Sequence, residues 1–305
     1  MAEHPFRIVN VFTLERSSRG GQPRGGQPLG GTPTGGGATS LALTGNPLCV
    51  FENAAALSSE TMQALALQFN LSETTFILPA ANAAARVRIF TPRYEMAFAG
   101  HPTLGTAHVC RDLKLGGDSL QLEMQAGVIP VRAAGNRWTL TAPSCSWREL
   151  DAPRPELAAA LGLGASDIGD RPLWVKAGKE QLIVPLNSVD AIKRTAPDVS
   201  RLSGIRSEDD LSMVYVFAFD GPNSALARFF FPQGAAILED PATGSATANF
   251  GGWCLAVQRA LPVNVAISQG GQTGRPSSLF LEVDSPRSIH VSGDVVEIGR
   301  GTISL

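Results

Sequence analysis

The residues whose types and spacing could do chemistry are Glu73, His101 and Asp240. His101 and Asp240 occupy matching places in a segment that occurs twice. The first copy is Arg88-Ile-Phe-Thr-Pro92 followed by Gly100-His-Pro-Thr-Leu-Gly-Thr-Ala107; the second is Arg228-Phe-Phe-Phe-Pro232 followed by Glu239-Asp-Pro-Ala-Thr-Gly-Ser-Ala246. Pro102 and Pro241, Gly105 and Gly244, and Ala107 and Ala246 fall in step. Proline suits the first position of a helix, where its missing N–H costs nothing. This predicts two helices with His101 and Asp240 as their N-caps. Capping alone accounts for Asp240, because its carboxylate accepts hydrogen bonds from open backbone N–H groups; a chemical role stays open beside it. Histidine is not a preferred cap, so a titratable ring at the positive end of a helix is open between packing and chemistry. Glu73 enters an apolar strand just after a helix end. A solvated strand mouth is the plainer reading; partial burial would instead raise its pKa towards that of a general base near neutral pH.

The residues around these positions are small and polar: Gly100, Thr103, Gly105 and Thr106 in one copy, Thr243, Gly244 and Ser245 in the other. Glycine allows close backbone approach, and unpaired N–H groups at a helix start bind carboxylates. The duplication predicts two similar lobes, each offering a helix N-terminus to a small anionic molecule. Arg88 and Arg228 precede their strand ends symmetrically and are expected to form structural ion pairs with Glu95 and Glu239. Arg275, in a Gly-rich turn from Gln269 to Ser277, reads first as part of a hairpin connection and second as an anion clamp.

The elements that must hold these residues follow from periodicity. Alternating or apolar runs predict strands at 6–13, 74–78, 85–90, 127–132, 136–141, 181–185, 213–219 and 225–231, with three short strands between 278 and 305. A helix is expected over 57–70, capped by Ser58 or Ser59 and ended by Asn70 in a left-handed conformation. A second is expected over 155–162, closed by Gly162. The helices after Pro102 and Pro241 are apolar nearly all round and must be wrapped by sheet. Nine glycines between Gly20 and Gly37, in a five-residue Gly/Gln/Pro repeat, predict a surface loop that buries no core.

A chain of 305 residues, 44% hydrophobic and 17% charged, is expected to be globular with two sizeable cores. Its net charge of −2, with no long basic run, argues against nucleic acid as a partner. No stretch is long and apolar enough for a bilayer, and the first residues lack a signal-peptide pattern, so the expected location is cytoplasmic with no membrane partner. The four cysteines and four histidines are scattered and share no metal-ligand spacing, so no metal site is expected.

Together these residues resemble the phenazine-biosynthesis isomerase (PhzF-like) family, which has the diaminopimelate epimerase fold. The matching elements are Gly45-Asn-Pro, Asn70-Leu-Ser-Glu-Thr, Arg88-Ile-Phe-Thr-Pro, Gly100-His-Pro-Thr-Leu-Gly, Glu239-Asp-Pro-Ala-Thr-Gly-Ser-Ala and Gly274-Arg-Pro-Ser, in order over nearly the whole chain. The resemblance implies an α+β protein of two pseudo-symmetric lobes, each a curved, mostly antiparallel sheet around a central apolar helix, with the active site between them. The lobes are expected at 1–124, with a flexible Gly/Pro-rich insertion at 18–40, and at 125–286; residues 287–305 would return to the first lobe. It further implies a cofactor-free isomerase acting on a small anionic substrate, of the type of trans-2,3-dihydro-3-hydroxyanthranilate, and a homodimer. Glu73 matches the catalytic carboxylate, His101 and Asp240 match assisting residues, and Ser72, Gly100, Gly244 and Ser245 match substrate contacts. The alternatives are an amino-acid epimerase with a non-cysteine base, and a small-molecule-binding protein of the same fold. The helix starts contain no cysteine, which sets this chain apart from the two-thiol racemases of that fold.

Overall fold

The computed structural model describes residues 1–14 and 40–305; the Gly/Gln/Pro repeat at 20–37 lies outside the described residues. These form two compact units, one of residues 1–14, 40–141 and 292–305, the other of residues 142–291.

The first unit contains β1 (Glu3–Thr13), β2 (Asn46–Phe51), α1 (Ser59–Phe69), β3 (Glu73–Leu78), β4 (Ala85–Phe90), β5 (Glu95–Met96), α2 (Gly100–Asp112), β6 (Ser119–Met124), β7 (Gly127–Ala134) and β8 (Arg137–Thr141). The helix α1 forms as its sequence predicts. The Ser58 side chain accepts from the Thr61 N–H, Asn70 ends the helix at φ 50°, and Met62, Leu65 and Ala66 face inward. They pack with Cys49, Phe51, Phe76 and Phe90, where Phe51 stacks on Phe76 at 4.9 Å. β2 pairs parallel with β3 across α1, and β4 parallel with β6 across α2; the remaining neighbours are antiparallel. The terminal strand (Ile289–Ser304) pairs with both β1 and β8, which closes eight strands into a barrel. This unit runs to Thr141 rather than ending at 124, because β6, β7 and β8 form one meander whose last strand closes the ring. The expected three short strands at the chain end are instead one strand before Asp284 and this 16-residue strand, which absorbs two register shifts against β1.

The second unit repeats the order. It contains β9 (Ser146–Glu149), α3 (Arg154–Ala160), β10 (Leu173–Ala177), β11 (Lys179–Pro185), α4 (Val189–Arg194), α5 (Val199–Leu202), β12 (Val214–Gly221), β13 (Ser224–Gln233), β14 (Ala236–Asp240), α6 (Gly244–Ala256), β15 (Val263–Gln269) and β16 (Ser277–Val283). β11 pairs parallel with β12 and β13 parallel with β15, with antiparallel pairs elsewhere. Every pairing from β1 to β7 thus has its counterpart from β10 to β16.

The predicted apolar helices lie at the centres of the two units. Residues Gly100–Cys110 of α2 are all buried, and so is every residue of α6 except Ser245. A helix without a polar face is tolerated only when sheet surrounds it. The expected ion pairs are also present twice. The Arg88 guanidinium donates to both oxygens of Glu95 at 2.7 and 2.6 Å, and that of Arg228 to both oxygens of Glu239 at 3.0 and 2.7 Å. Each guanidinium also lies over the ring two residues on, Phe90 and Phe230.

Candidate active site

In the first unit, the turn before β2 needs a glycine: Gly45 has φ +81°, and a Cβ there would meet the Val11 carbonyl oxygen. That turn delivers Asn46 and Pro47. Glu73 is the first residue of β3, and His101 the second of α2. The buried Thr75 and Thr106 hydroxyls, 2.8 Å apart, pin β3 to α2. The Glu73 side chain keeps only 16% of its exposure, so the solvated strand mouth gives way to a lodged carboxylate. Its Oε2 lies 3.5 Å from Nε2 of His101.

Burial pushes His101 from 6.5 down to about 3, against the opposing effect of its hydrogen bond to the Pro47 carbonyl. The ring is therefore neutral at neutral pH. With Nε2 turned to Glu73, the donor to Pro47 is Nδ1, so Nε2 presents a lone pair to the carboxyl group. A contact of 3.5 Å is long for a hydrogen bond and has room to tighten when a ligand arrives. Tyr94 stands near this pair: burial raises its phenol pKa, with the Glu73 charge the second cause.

His101 is not the N-cap. Ala99 takes that place, and Pro102 is the third helical residue. Proline is tolerated there too, since the first four N–H groups of a helix have no partner within it. Asp240 is not an N-cap either: α6 starts at Gly244, behind an extended Thr243. Asp240 instead ends β14 opposite Phe229, and its carboxylate accepts from the Thr243 hydroxyl. Gln269 fixes the direction of that bond. Its Oε1 accepts from the Thr243 N–H, so its amide nitrogen is the donor to the Asp240 carbonyl and to Thr243 Oγ1. The Thr243 proton is then left for Asp240, which is held as an acceptor.

The other sequence-derived positions fall near these groups. Ser72 is exposed and directly precedes Glu73; Gly100 is the buried first residue of α2; Gly244 and Ser245 open α6. Within the first unit the fold brings Glu73 and His101 together; within the second it brings Asp240 to Thr243 and Gln269. Arg275 belongs to its turn, where its N–H donates to the Gly270 carbonyl and its carbonyl accepts from Ser277 Oγ. Sequence reasoning missed the polar partners Gln269, Gln181 and Asn249. The signal for Asn249 was present, as an amide inside a mostly apolar helix. Cys110 and Cys254 are the eleventh residues of α2 and α6, and burial pushes each thiol up to about 12. Neither stands at a helix start. Among the described residues, no three His, Cys, Asp or Glu side chains are grouped to hold a metal ion.

The model of the family described as phenazine biosynthesis-like protein matches residues 38–301. The chain belongs to the phenazine biosynthesis-like family. An uncharacterized isomerase of Pasteurella multocida is 36% identical over 262 residues, covering 85% of this chain and 89% of that protein. The trans-2,3-dihydro-3-hydroxyanthranilate isomerase of Pseudomonas aeruginosa is 34% identical over 272 residues, covering 85% and 94%. Among solved structures, a PhzF-family phenazine biosynthesis protein of Bacillus anthracis superposes with a TM-score of 0.80 at 22% identity, over 100% of both chains. A hydroxyproline epimerase of Agrobacterium vitis superposes with a TM-score of 0.62 at 12% identity, over 99% and 93%. These two likenesses establish a shared fold. Isomerase, the class of the family and of the curated relatives, is the class of this chain as well.

Proposed function

We propose that this member of the phenazine biosynthesis-like family moves a proton between two carbons of a small carboxylate-bearing substrate, without a cofactor, using Glu73 as both base and acid. Trans-2,3-dihydro-3-hydroxyanthranilate, named for the Pseudomonas aeruginosa relative, is the substrate to test first. The observation that carries this reading is the Glu73–His101 pair: a largely buried carboxyl group facing the lone pair of a neutral imidazole. In the first step a substrate C–H bond breaks and an O–H bond forms on Glu73. His101 Nε2 accepts a hydrogen bond from the new carboxylic acid. In the second step the same proton leaves Glu73 and a C–H bond forms at another carbon, so the enzyme ends as it began.

A carbon acid gives up its proton slowly unless the negative charge that develops meets preorganised donors. In this reading the N–H groups at Gly100, Gly244 and Ser245, with Ser72, supply them, and Asp240 accepts from a donor group of the substrate. The test is proton NMR of the purified protein with trans-2,3-dihydro-3-hydroxyanthranilate. Loss of the substrate resonances with growth of one isomeric product supports the reading. An unchanged spectrum at high enzyme concentration rejects this substrate.

A further inference from the structure

The two units match residue by residue around their buried helices, and each serves as a control for the other. Arg88 faces Phe76 across β3–β4 as Arg228 faces Val216 across β12–β13. Counting back two residues makes Thr74 equivalent to Val214. Their neighbours in the next strand are Cys49 and Leu182, so Leu48 corresponds to Gln181. Counted from their first glycines, α2 and α6 equate His101 with Ser245 and Gly105 with Asn249; this corrects the step read from the prolines, which matched His101 with Asp240 and Gly105 with Gly244, because α2 starts before its proline and α6 after it. In the first unit the strand–helix contact at these positions is apolar and tight: a Cβ on Gly105 would lie 2.6 Å from Leu48 Cδ2. In the second unit the same two positions hold the amides of Gln181 and Asn249, 2% and 0% exposed. Burying amides is costly unless they are fully paired, and the first unit shows that this contact packs well without them.

Their hydrogen bonds run in one direction. Asn249 Oδ1 accepts from the Ala177 N–H at 2.6 Å, which turns its Nδ2 towards the Lys179 carbonyl at 2.9 Å and Gln181 Oε1 at 2.8 Å. Gln181 therefore presents Nε2 on its other side, where it donates to Ser245 Oγ at 3.1 Å. Ser245 accepts this bond, so its own proton points elsewhere, and no acceptor among the described residues takes it. Ser245 is also the one residue of α6 that is not buried.

We infer that Gln181, set by Asn249, is a positioning residue: it holds Ser245 Oγ as an acceptor so that the serine proton is kept for a carboxylate oxygen of the substrate. This rests on the reading that Ser245 contacts the substrate. The test is a double-mutant cycle of Gln181→Leu and Ser245→Ala on binding of benzoate and 2-aminobenzoate, read by isothermal titration calorimetry, with melting temperatures in parallel. Benzoate offers a carboxylate whatever the true substrate is. Each single variant is expected to weaken benzoate by about tenfold, the cost of one hydrogen bond to a charged group. The double variant is expected to bind no more weakly than Ser245→Ala. Gln181→Glu, which offers Ser245 only an acceptor, is expected to bind at least as weakly as Gln181→Leu. In turnover, Gln181→Leu is expected to raise KM while kcat holds, a split that a merely structural role would not give. Gln181→Met replaces Gln181→Leu if the latter fails to fold. Wild-type affinity in Gln181→Leu, losses that multiply in the double variant, or a wild type that binds neither probe at millimolar concentration would overturn the inference. A coupled cycle in a wild type that leaves trans-2,3-dihydro-3-hydroxyanthranilate unchanged supports it and rejects only the substrate.

Discussion

Glu73 and His101 meet because β3 begins, and α2 begins, at the same end of one barrel, and each side chain inherits its state from burial. The neutral ring of His101 makes an acid-stability prediction. Its protonation in the folded chain is depressed to about 3 from 6.5, so between those values the unfolded chain binds more protons than the folded one. The stability contributed by the neutral ring is full above about pH 6.5 and is lost as pH falls towards about 3, at up to about 1.4 kcal/mol per pH unit. His101→Gln removes that proton, so its urea-unfolding free energy should fall less steeply than that of the wild type between pH 6.5 and 4. Burial depresses His108 as well, so part of the acid limb remains. Equal slopes in the two proteins would contradict a neutral buried His101. Type and family resemblance single out Glu73, His101 and Asp240 in the sequence, and the pairing of Glu73 with His101 follows from the fold. Their surroundings were not, because a carboxylate at a strand start reads as solvated until the facing helix is known.

At the scale of elements, the duplicated Arg–Glu pair ties β4 to β5 and β13 to β14, and the two copies differ in depth. The Arg228 and Glu239 side chains are 10% and 15% exposed, against 19% and 27% for Arg88 and Glu95. Removing one partner of a buried pair strands a charge, whereas an exposed arginine recovers water. Glu239→Ala should therefore cost about 3–5 kcal/mol in urea unfolding, and Glu95→Ala distinctly less. An equal cost for both would show that depth does not set their worth. These pairs were legible because Arg88 and Arg228 stand at matching places before their strand ends, each with a glutamate ahead, at 7 and 11 residues. The helix starts were misjudged by two residues in α2 and by three in α6, because proline marks only the first turn and a strand can run up to it. The Gln181–Asn249 relay escaped notice because its members lie 68 residues apart and meet only across the β11–α6 contact.

For the molecule as a whole, the repeated segment marks a repeat of architecture: two units with the same strand pairings around a buried helix, built from segments that share few residues beyond the arginines, glycines and prolines. The duplication gives each helix start a side chain at the second position, His101 in one unit and Ser245 in the other, and in each case a residue of the facing strand or its turn sets that side chain's hydrogen-bond direction. The first of these faces the carboxyl group of Glu73, the proposed acid–base. The most direct test is turnover of trans-2,3-dihydro-3-hydroxyanthranilate in D2O, followed by proton NMR for the wild type and for Glu73→Gln at matched folded concentration. Conversion by the wild type and a loss of at least about a hundredfold in the variant are expected, the level for removing a general acid–base. Conversion by Glu73→Gln at the wild-type rate would contradict Glu73 as the acid–base.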